Sequence, residues 1–266
     1  MTDAPIGIFD SGIGGLTVAR AIYDRLPRES TVYFGDTARV PYGPKSPETV
    51  RRYSLEILQW LVGQGVKLIV VACNTSTAHA LDALQATSPV PVLGVIQPGA
   101  RAAVDGTGGG PIGVIGTAGT IASNAYARAI HALRPDARVE QVACPLFVPL
   151  VEEGWFEHAA AALIATEYLQ PLRDAGVATL VLGCTHYPLL KPLLGRVMGP
   201  GVRLIDSAEE TARAVEGTLA ERRLAAPSGG RVSHRFVVSD DEARFRLVGL
   251  RFLGDRLGKA EVIALG

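Results

Sequence analysis

Two short apolar runs, each ending in a cysteine, constrain this chain more than any other feature. Leu68–Cys73 and Thr179–Cys184 lie 111 residues apart and share one grammar: a β-branched stretch, a cysteine, small polar residues, then a helical pattern. The pair sits inside a longer repeat. Pro5-Ile6-Gly7-Ile8 returns as Pro111-Ile112-Gly113-Val114, 106 residues on, and Ala19-Arg20-Ala21-Ile22 returns as Ala127-Arg128-Ala129-Ile130, 108 on. Val40-Pro41 and Val148-Pro149 are again 108 apart. Matches in a fixed order with a slow drift in spacing predict two related halves, with functional groups at the carboxyl ends of their strands.

The elements within each half follow from periodicity. Ile6–Phe9, Thr31–Phe34, Leu68–Val71, Val92–Ile96, Ile112–Ile115, Val139–Val142, Leu180–Leu182 and Arg203–Ile205 are short and apolar on both faces, as parallel strands covered by helices are. Helical patterns separate them at Leu16–Arg25, Pro47–Gln64, Ala78–Ala86, Ala118–Leu133, His158–Ala175 and Leu189–Val197. The alternation predicts an α/β fold of two pseudo-symmetric domains, each a parallel sheet flanked by helices, with the site in the crevice between them. Gln97–Gly110, ending in Gly-Thr-Gly-Gly-Gly, reads as a linker between them. From Ser207 onward no third copy begins. Ser207 is expected to cap a helix over Ala208–Arg223; Ala226–Gly230 reads as a loop, and strands at Arg235–Val238 and Glu261–Ala264 flank a helix at Asp241–Leu250. This tail is expected to return to the first half. The division is then 1–97 plus 208–266 against 98–207.

Composition excludes several functions. With 26 basic and 26 acidic residues the chain offers phosphate backbones no long-range attraction, and 6% aromatics is too few for a base-stacking surface, so no nucleic-acid partner is expected. No uninterrupted apolar stretch is long enough to cross a membrane, and the first residues lack the basic start of a secretion signal. Three widely spaced cysteines form no disulfide framework and suit a reducing, cytoplasmic setting.

The matched cysteines carry the chemistry. Cys73, in Ala72-Cys73-Asn74-Thr75-Ser76, stands before a helix whose N-terminal dipole favours thiolate. Cys184, in Gly183-Cys184-Thr185-His186-Tyr187-Pro188, has the same setting with His186 at hand. The unmatched Cys144 reads as a buried apolar filler. Two thiols on opposite faces of a carbon acid suit inversion, one taking a proton while the other delivers one. Asp10-Ser11, after the first strand, points into the crevice; the glycines of Gly12-Ile13-Gly14-Gly15 read mainly as a tight strand–helix turn. Asp36-Thr37-Ala38-Arg39-Val40-Pro41-Tyr42-Gly43 is a second crevice loop. Asn74, Thr75, Thr185 and His186 offer donors to a carboxylate, and Glu152, in the second-half counterpart of the Tyr42-Gly43 loop, offers an acceptor to an ammonium group. Zinc or a redox dithiol would call for closely spaced ligand pairs, and no Cys-x-x-Cys or His-x-x-x-His occurs. A cysteine hydrolase leaves the second thiol unexplained. None of Lys45, Lys67, Lys191 or Lys259 has the phosphate cup that pyridoxal chemistry needs.

Four stretches together resemble the glutamate racemase family: Gly7 to Val18, Gly35 to Gly43, Ala72 to Thr75, and Gly183 to Leu189. They span nearly the whole chain in the family's order. Asp10-Ser11-Gly12-Ile13-Gly14-Gly15 and Thr185-His186-Tyr187-Pro188 resemble the glutamate branch of the wider aspartate/glutamate group; Ser76 departs from the family's usual alanine. The resemblance implies interconversion of L- and D-glutamate with no cofactor and no metal. It implies that Cys73 acts on the α-proton of the D-enantiomer and Cys184 on that of the L-enantiomer. It further implies that Asp10-Ser11, Tyr42-Gly43, Asn74-Thr75 and Thr185-His186 hold substrate, while Asp10, Glu152 and His186 tune the thiols or the ammonium. D-Glutamate would feed peptidoglycan and hence cell-wall synthesis and cell shape, in the cytoplasm; a homodimer is left open. The alternatives are a racemase of aspartate or another amino acid, or a two-domain amino-acid binding protein without catalysis.

Overall fold

A computed structural model of the chain describes residues 2–265. Two sheets, parallel throughout, organise it. The first half supplies β1 (Ile6–Asp10), α1 (Leu16–Arg25), β2 (Thr31–Gly35), α2 (Pro47–Gly63), β3 (Leu68–Val71), α3 (Asn74–Thr87) and β4 (Val92–Gly94). The second supplies α4 (Ile96–Gly106), β5 (Ile112–Gly116), α5 (Ala118–Ala122), α6 (Ala125–Leu133), β6 (Val139–Ala143), α7 (Phe147–Glu152), α8 (Ala159–Asp174), β7 (Thr179–Gly183), a 3₁₀ turn at Tyr187–Leu190, α9 (Lys191–Met198) and β8 (Arg203–Asp206). The tail adds α10 (Ser207–Glu221), β9 (His234–Val238), α11 (Glu242–Leu253) and β10 (Ala260–Val262).

The strand orders are β10-β9-β2-β1-β3-β4 and β6-β5-β7-β8. The tail therefore enters the first sheet, with β9 pairing beside β2. In each sheet the first strand of the half, β1 or β5, has its successors on opposite sides. The chain reverses direction between β1 and β3 and between β5 and β7, and an open α/β sheet leaves a ligand crevice at such a switch point. Cys73 follows β3 and Cys184 follows β7, so each thiol stands at one of the two switch points.

Burial explains the layering. Phe9, Val32, Phe34, Ile69 and Val71 turn one face of the first sheet toward Ile57, Leu58 and Leu61 of α2 and Ala80 and Leu84 of α3. Ile112, Val114 and Val181 of the second sheet meet Ala100 and Ala103 of α4 and Tyr126 and Ile130 of α6. The remaining faces share one continuous core, running from Ile6, Ile8 and Leu16 through Val215 and Phe245 to Leu172, Leu182 and Leu193.

Several local expectations change. Gln97–Gly110 runs between the two sheets but is mostly helix and not loop: Ile96, Gly99, Ala100 and Ala103 repeat at helical spacing and are buried, forming one face of α4, and only the residues after Gly106 are loop. The glycine run disguised a helical stripe made of small residues. Ala118–Leu133 is two helices, because Asn124 takes a left-handed conformation (φ 54°) between α5 and α6. Asp206, not Ser207, caps α10, its carboxylate accepting from the Ala208 amide at 2.9 Å. The Val92–Ile96 strand stops at Gly94, and the Ala78–Ala86 helix starts at Asn74, directly after Cys73.

Candidate active site

The Cys73 side is built from the first half. Cys73 occupies the N-cap position of α3, and its Sγ accepts the Ser76 amide at 3.4 Å. Around it pack Tyr42, Val50 and Tyr53. The expected thiolate-favouring effect of the helix terminus is overruled. Burial pushes the thiol up, the Asp10 carboxylate adds to that, and the Ser76 amide with the Ser76 and Ser11 hydroxyls only partly offsets it, leaving the pKa at about 11. The Ser76 amide at the helix start lowers the pKa by less than burial raises it, in a residue that is only 5% exposed.

The Cys184 side is built differently. Cys184 Sγ lies 3.9 Å from Nδ1 of His186, whose Nε2 meets Oε1 of Glu152 at 3.0 Å. Burial alone favours neutral imidazole, but Cys184 and Glu152 outweigh it and raise the His186 pKa to about 10. Burial also works against the Glu152 carboxylate, yet His186 and Arg244 hold it below its ordinary value. Glu152 is not in a loop as expected: it ends helix α7.

Asp10 joins the two sides. Its Oδ2 accepts the Gly12 amide at 2.9 Å, and its Oδ1 lies 3.5 Å from the Thr185 hydroxyl. Burial pushes the carboxyl up, with His186 and the Gly12 and Gly15 amides pulling back. Thr17 donates to the Thr185 carbonyl at 3.1 Å, so the turn after β1 is bolted to the turn after β7. Gly14 makes this approach possible. A Cβ there would fall 2.3 Å from Thr185 Oγ1 and 2.4 Å from His186 Nδ1. The tight-turn expectation for the glycines therefore missed the main constraint on Gly14, which is contact with the opposite half.

Of the other expected residues, Asn74 is buried; its Oδ1 accepts from Tyr126 at 2.8 Å, while its Nδ2 has no partner among the described residues. Thr75 hydrogen-bonds to Thr117 at 2.9 Å and to Thr120 at 3.2 Å, across to α5. Gly43 accepts the Gly119 amide at 2.9 Å, a second cross-half contact. The Tyr42 hydroxyl is committed to Asp36, which also accepts from Ser239 at 2.8 Å and Arg39 at 2.7 Å. Tyr42 thus anchors its loop through its hydroxyl. Cys144 is fully buried and burial raises its pKa, as an inert filler requires.

The chain has known relatives. It matches the family described as Asp/Glu/Hydantoin racemase over residues 16–215. It is 58% identical to a glutamate racemase of Geobacter metallireducens, across 98% of this chain and 96% of that one. The chain belongs to this racemase family, among the glutamate racemases. Two solved glutamate racemases share the fold. One, an isoform from Bacillus anthracis, superposes with a TM-score of 0.95 at 41% identity, covering 100% of this chain and 99% of that one. The other, from Francisella tularensis in complex with D-glutamate, gives 0.93 at 38% identity, covering 99% and 98%. The protein is an enzyme, an isomerase of this group.

Sequence reasoning missed several groups in this racemase. Thr117 and Thr120 complete a hydroxyl triad with Thr75, Thr117 donating to Thr120 at 3.0 Å. A signal for Thr117 existed: the 106-residue offset that aligns Pro5 with Pro111 carries Ser11 onto Thr117. No such signal marks Tyr126 or Arg244, which reach the site from the first turn of α6 and from the tail. Among the described residues no group of three or more His, Cys, Asp or Glu side chains could hold a metal ion, and no helix is long and apolar enough to cross a membrane.

Proposed function

We propose that the protein interconverts L- and D-glutamate through its two thiols, without a cofactor. The supporting observation is that Asp10 ties both thiols into one polar cluster: its carboxylate acts on the Cys73 thiol and lies within reach of Thr185, next to Cys184. One cysteine removes the α-proton from its face and the other returns a proton to the opposite face; the roles exchange for the reverse direction. Cys73 serves the D-enantiomer and Cys184 the L-enantiomer. As the α-carbon loses its proton, charge builds on the α-carboxylate. The free Asn74 amide, the hydroxyls of Ser11, Thr75 and Thr185, and backbone amides near Gly43 are the donors suited to it. Asp10 and Glu152 offer countercharge to the substrate ammonium and to His186.

Purified protein given L-glutamate, with no pyridoxal phosphate added, is expected to carry optical rotation to zero. Cys73→Ala and Cys184→Ala should each abolish turnover, whereas Cys144→Ala keeps most of it. Turnover surviving in either of the first two variants overturns the two-thiol mechanism, and racemisation of aspartate in preference to glutamate overturns the substrate.

The physiological role proposed is supply of D-glutamate for peptidoglycan in the cytoplasm. Rescue of a D-glutamate-requiring bacterium by the intact gene, and not by the Cys184→Ala form, is the expected result. The unit boundaries proposed are 1–97 plus 208–266 and 98–207, supported by entry of β9 and β10 into the first sheet. A homodimer is the assembly to look for by light scattering.

A further inference from the structure

The Cys184–His186–Glu152 chain does not end at Glu152. Glu152 Oε2 meets Arg244 of α11 at 3.4 Å, and the Glu152 carbonyl, at the end of α7, accepts from Arg251 of the same helix. Carbonyls in the last turn of a helix lack partners within it, and a cation there complements the dipole. Arg244 and Arg251 stand seven residues apart, two turns of α11, so both side chains leave one face of the helix. Phe252, next along, lies edge-on to the His186 ring at 5.5 Å between centroids. A helix from the tail, whose strands belong to the first sheet, thus grips the carboxylate, the helix end and the imidazole that stand behind the second half's thiol. Cys73 has no imidazole partner among the described residues; its polar surroundings are Asp10, Ser11, Ser76 and Tyr42, whose hydroxyl is held by Asp36.

We propose that Arg244 is a positioning residue for the Cys184 half-reaction: by holding Glu152 it fixes the orientation of His186 toward Cys184, so that α11 supports one of the two proton transfers and not the other. This rests on the two-thiol mechanism above. The ion pair is half exposed on the Arg244 side and adds little to stability. Its effect lies in orientation. Glu152 is only 15% exposed and has two oxygens, one spent on His186 and one on Arg244. Without Arg244 the carboxylate is free to rotate, and the imidazole loses its fixed partner.

The equilibrium constant of a racemisation in water is one, because enantiomers have equal free energies, so kcat/KM falls equally in both directions for any variant. The discriminating readout is the primary isotope effect. Arg244→Ala is expected to lower kcat/KM about tenfold in each direction. In that variant the isotope effect with α-deuterated L-glutamate, where Cys184 takes the deuteron, should rise. The effect with α-deuterated D-glutamate, where Cys73 takes it, should fall. Arg244→Lys restores most of the rate, and Glu153→Gln, which removes the other carboxylate that Arg244 meets at 3.3 Å, leaves turnover unchanged. Glu152 is faced by His186 from the turn after β7, by Asp10 from β1 and by Arg244 and Arg251 from α11. Loss of one cation therefore moves the acid limb of the rate profile to higher pH.

Isotope effects unchanged from the parent enzyme, with or without a loss of rate, would overturn the proposal. A thermal melt matching the parent's separates this from misfolding, and Arg244→Gln, which keeps the length of the side chain without its charge, is the substitute where Arg244→Ala does not fold. Failure of the two-thiol mechanism is distinct: it shows as turnover in Cys184→Ala, and it removes this proposal with it.

Discussion

The two thiols have matching places in the repeat and unlike surroundings. Cys73 is held by a backbone amide and by hydroxyls, and burial with the nearby Asp10 carboxylate raises it to about 11. Cys184 has an imidazole at 3.9 Å, then a carboxylate and an arginine behind it. Backbone symmetry thus puts two sulfurs at equivalent switch points, while the side chains around them differ. A symmetric reaction needs equal free energies for its substrate and product; it does not need equal bases. On the Cys73 side burial and Asp10 hold the proton on the sulfur, whereas on the Cys184 side an imidazole lies at 3.9 Å.

The hardest test of this contrast is to remove each sulfur. Cys73→Ala and Cys184→Ala are each expected to lose roughly 10⁴-fold or more in kcat/KM for glutamate, measured polarimetrically, since in the proposed mechanism each would remove an acid–base group from both directions. Next in size is the contact that brings the sides together. Gly14→Ala puts a methyl group within 2.4 Å of His186 Nδ1. Relieving that overlap parts the turns by about 1 Å, which should cost about 100-fold in kcat/KM, and overpacking should lower stability by about 1–3 kcal/mol in urea unfolding.

A smaller effect separates the sides by pH. The His186 pKa rises from 6.5 to about 10 in the folded protein, so the native state holds a proton that the unfolded chain releases first. Its contribution to stability is present below pH 6.5 and is lost as pH climbs toward 10. His186→Gln should flatten that decline in melting temperature. The Cys73 thiol acts in the same direction but higher, from 9 to about 11, and Cys73→Ala should leave the neutral-pH part of the slope intact. The smallest effect expected is that of Thr117→Val, about 1 kcal/mol from the hydroxyl triad that ties α3 to α5, read from unfolding, with a modest rise in KM for glutamate.

Much of the fold was legible because short doubly apolar runs and amphipathic helices alternate without interruption, and because the repeat supplied a second copy as a check. The errors fall where local composition misleads. Gly-Thr-Gly-Gly-Gly suggested a linker and concealed α4, whose buried face is made of alanine and glycine and carries little hydrophobic signal. At the candidate site, Cys73, Cys184, Asp10, Asn74, Thr75, Thr185 and His186 were visible because each ends or follows a strand at a switch point. Thr117 was marked by the repeat and overlooked. Gly14 was seen for its freedom in a turn, when its lack of a side chain matters to a partner 172 residues away.

By itself the sequence determined that this chain forms two related parallel-sheet halves, with one cysteine just past the end of a strand in each. Periodicity and turn chemistry are local, and local patterns are what a sequence displays. Tertiary structure decided what each sulfur is. At Cys73 burial outweighs the Ser76 amide at the helix start, because desolvation depends on everything that packs around the sulfur. At Cys184 the outcome rests on Glu152 and Arg244, which come from the end of α7 and from the tail, and only folding brings their charges within reach of His186.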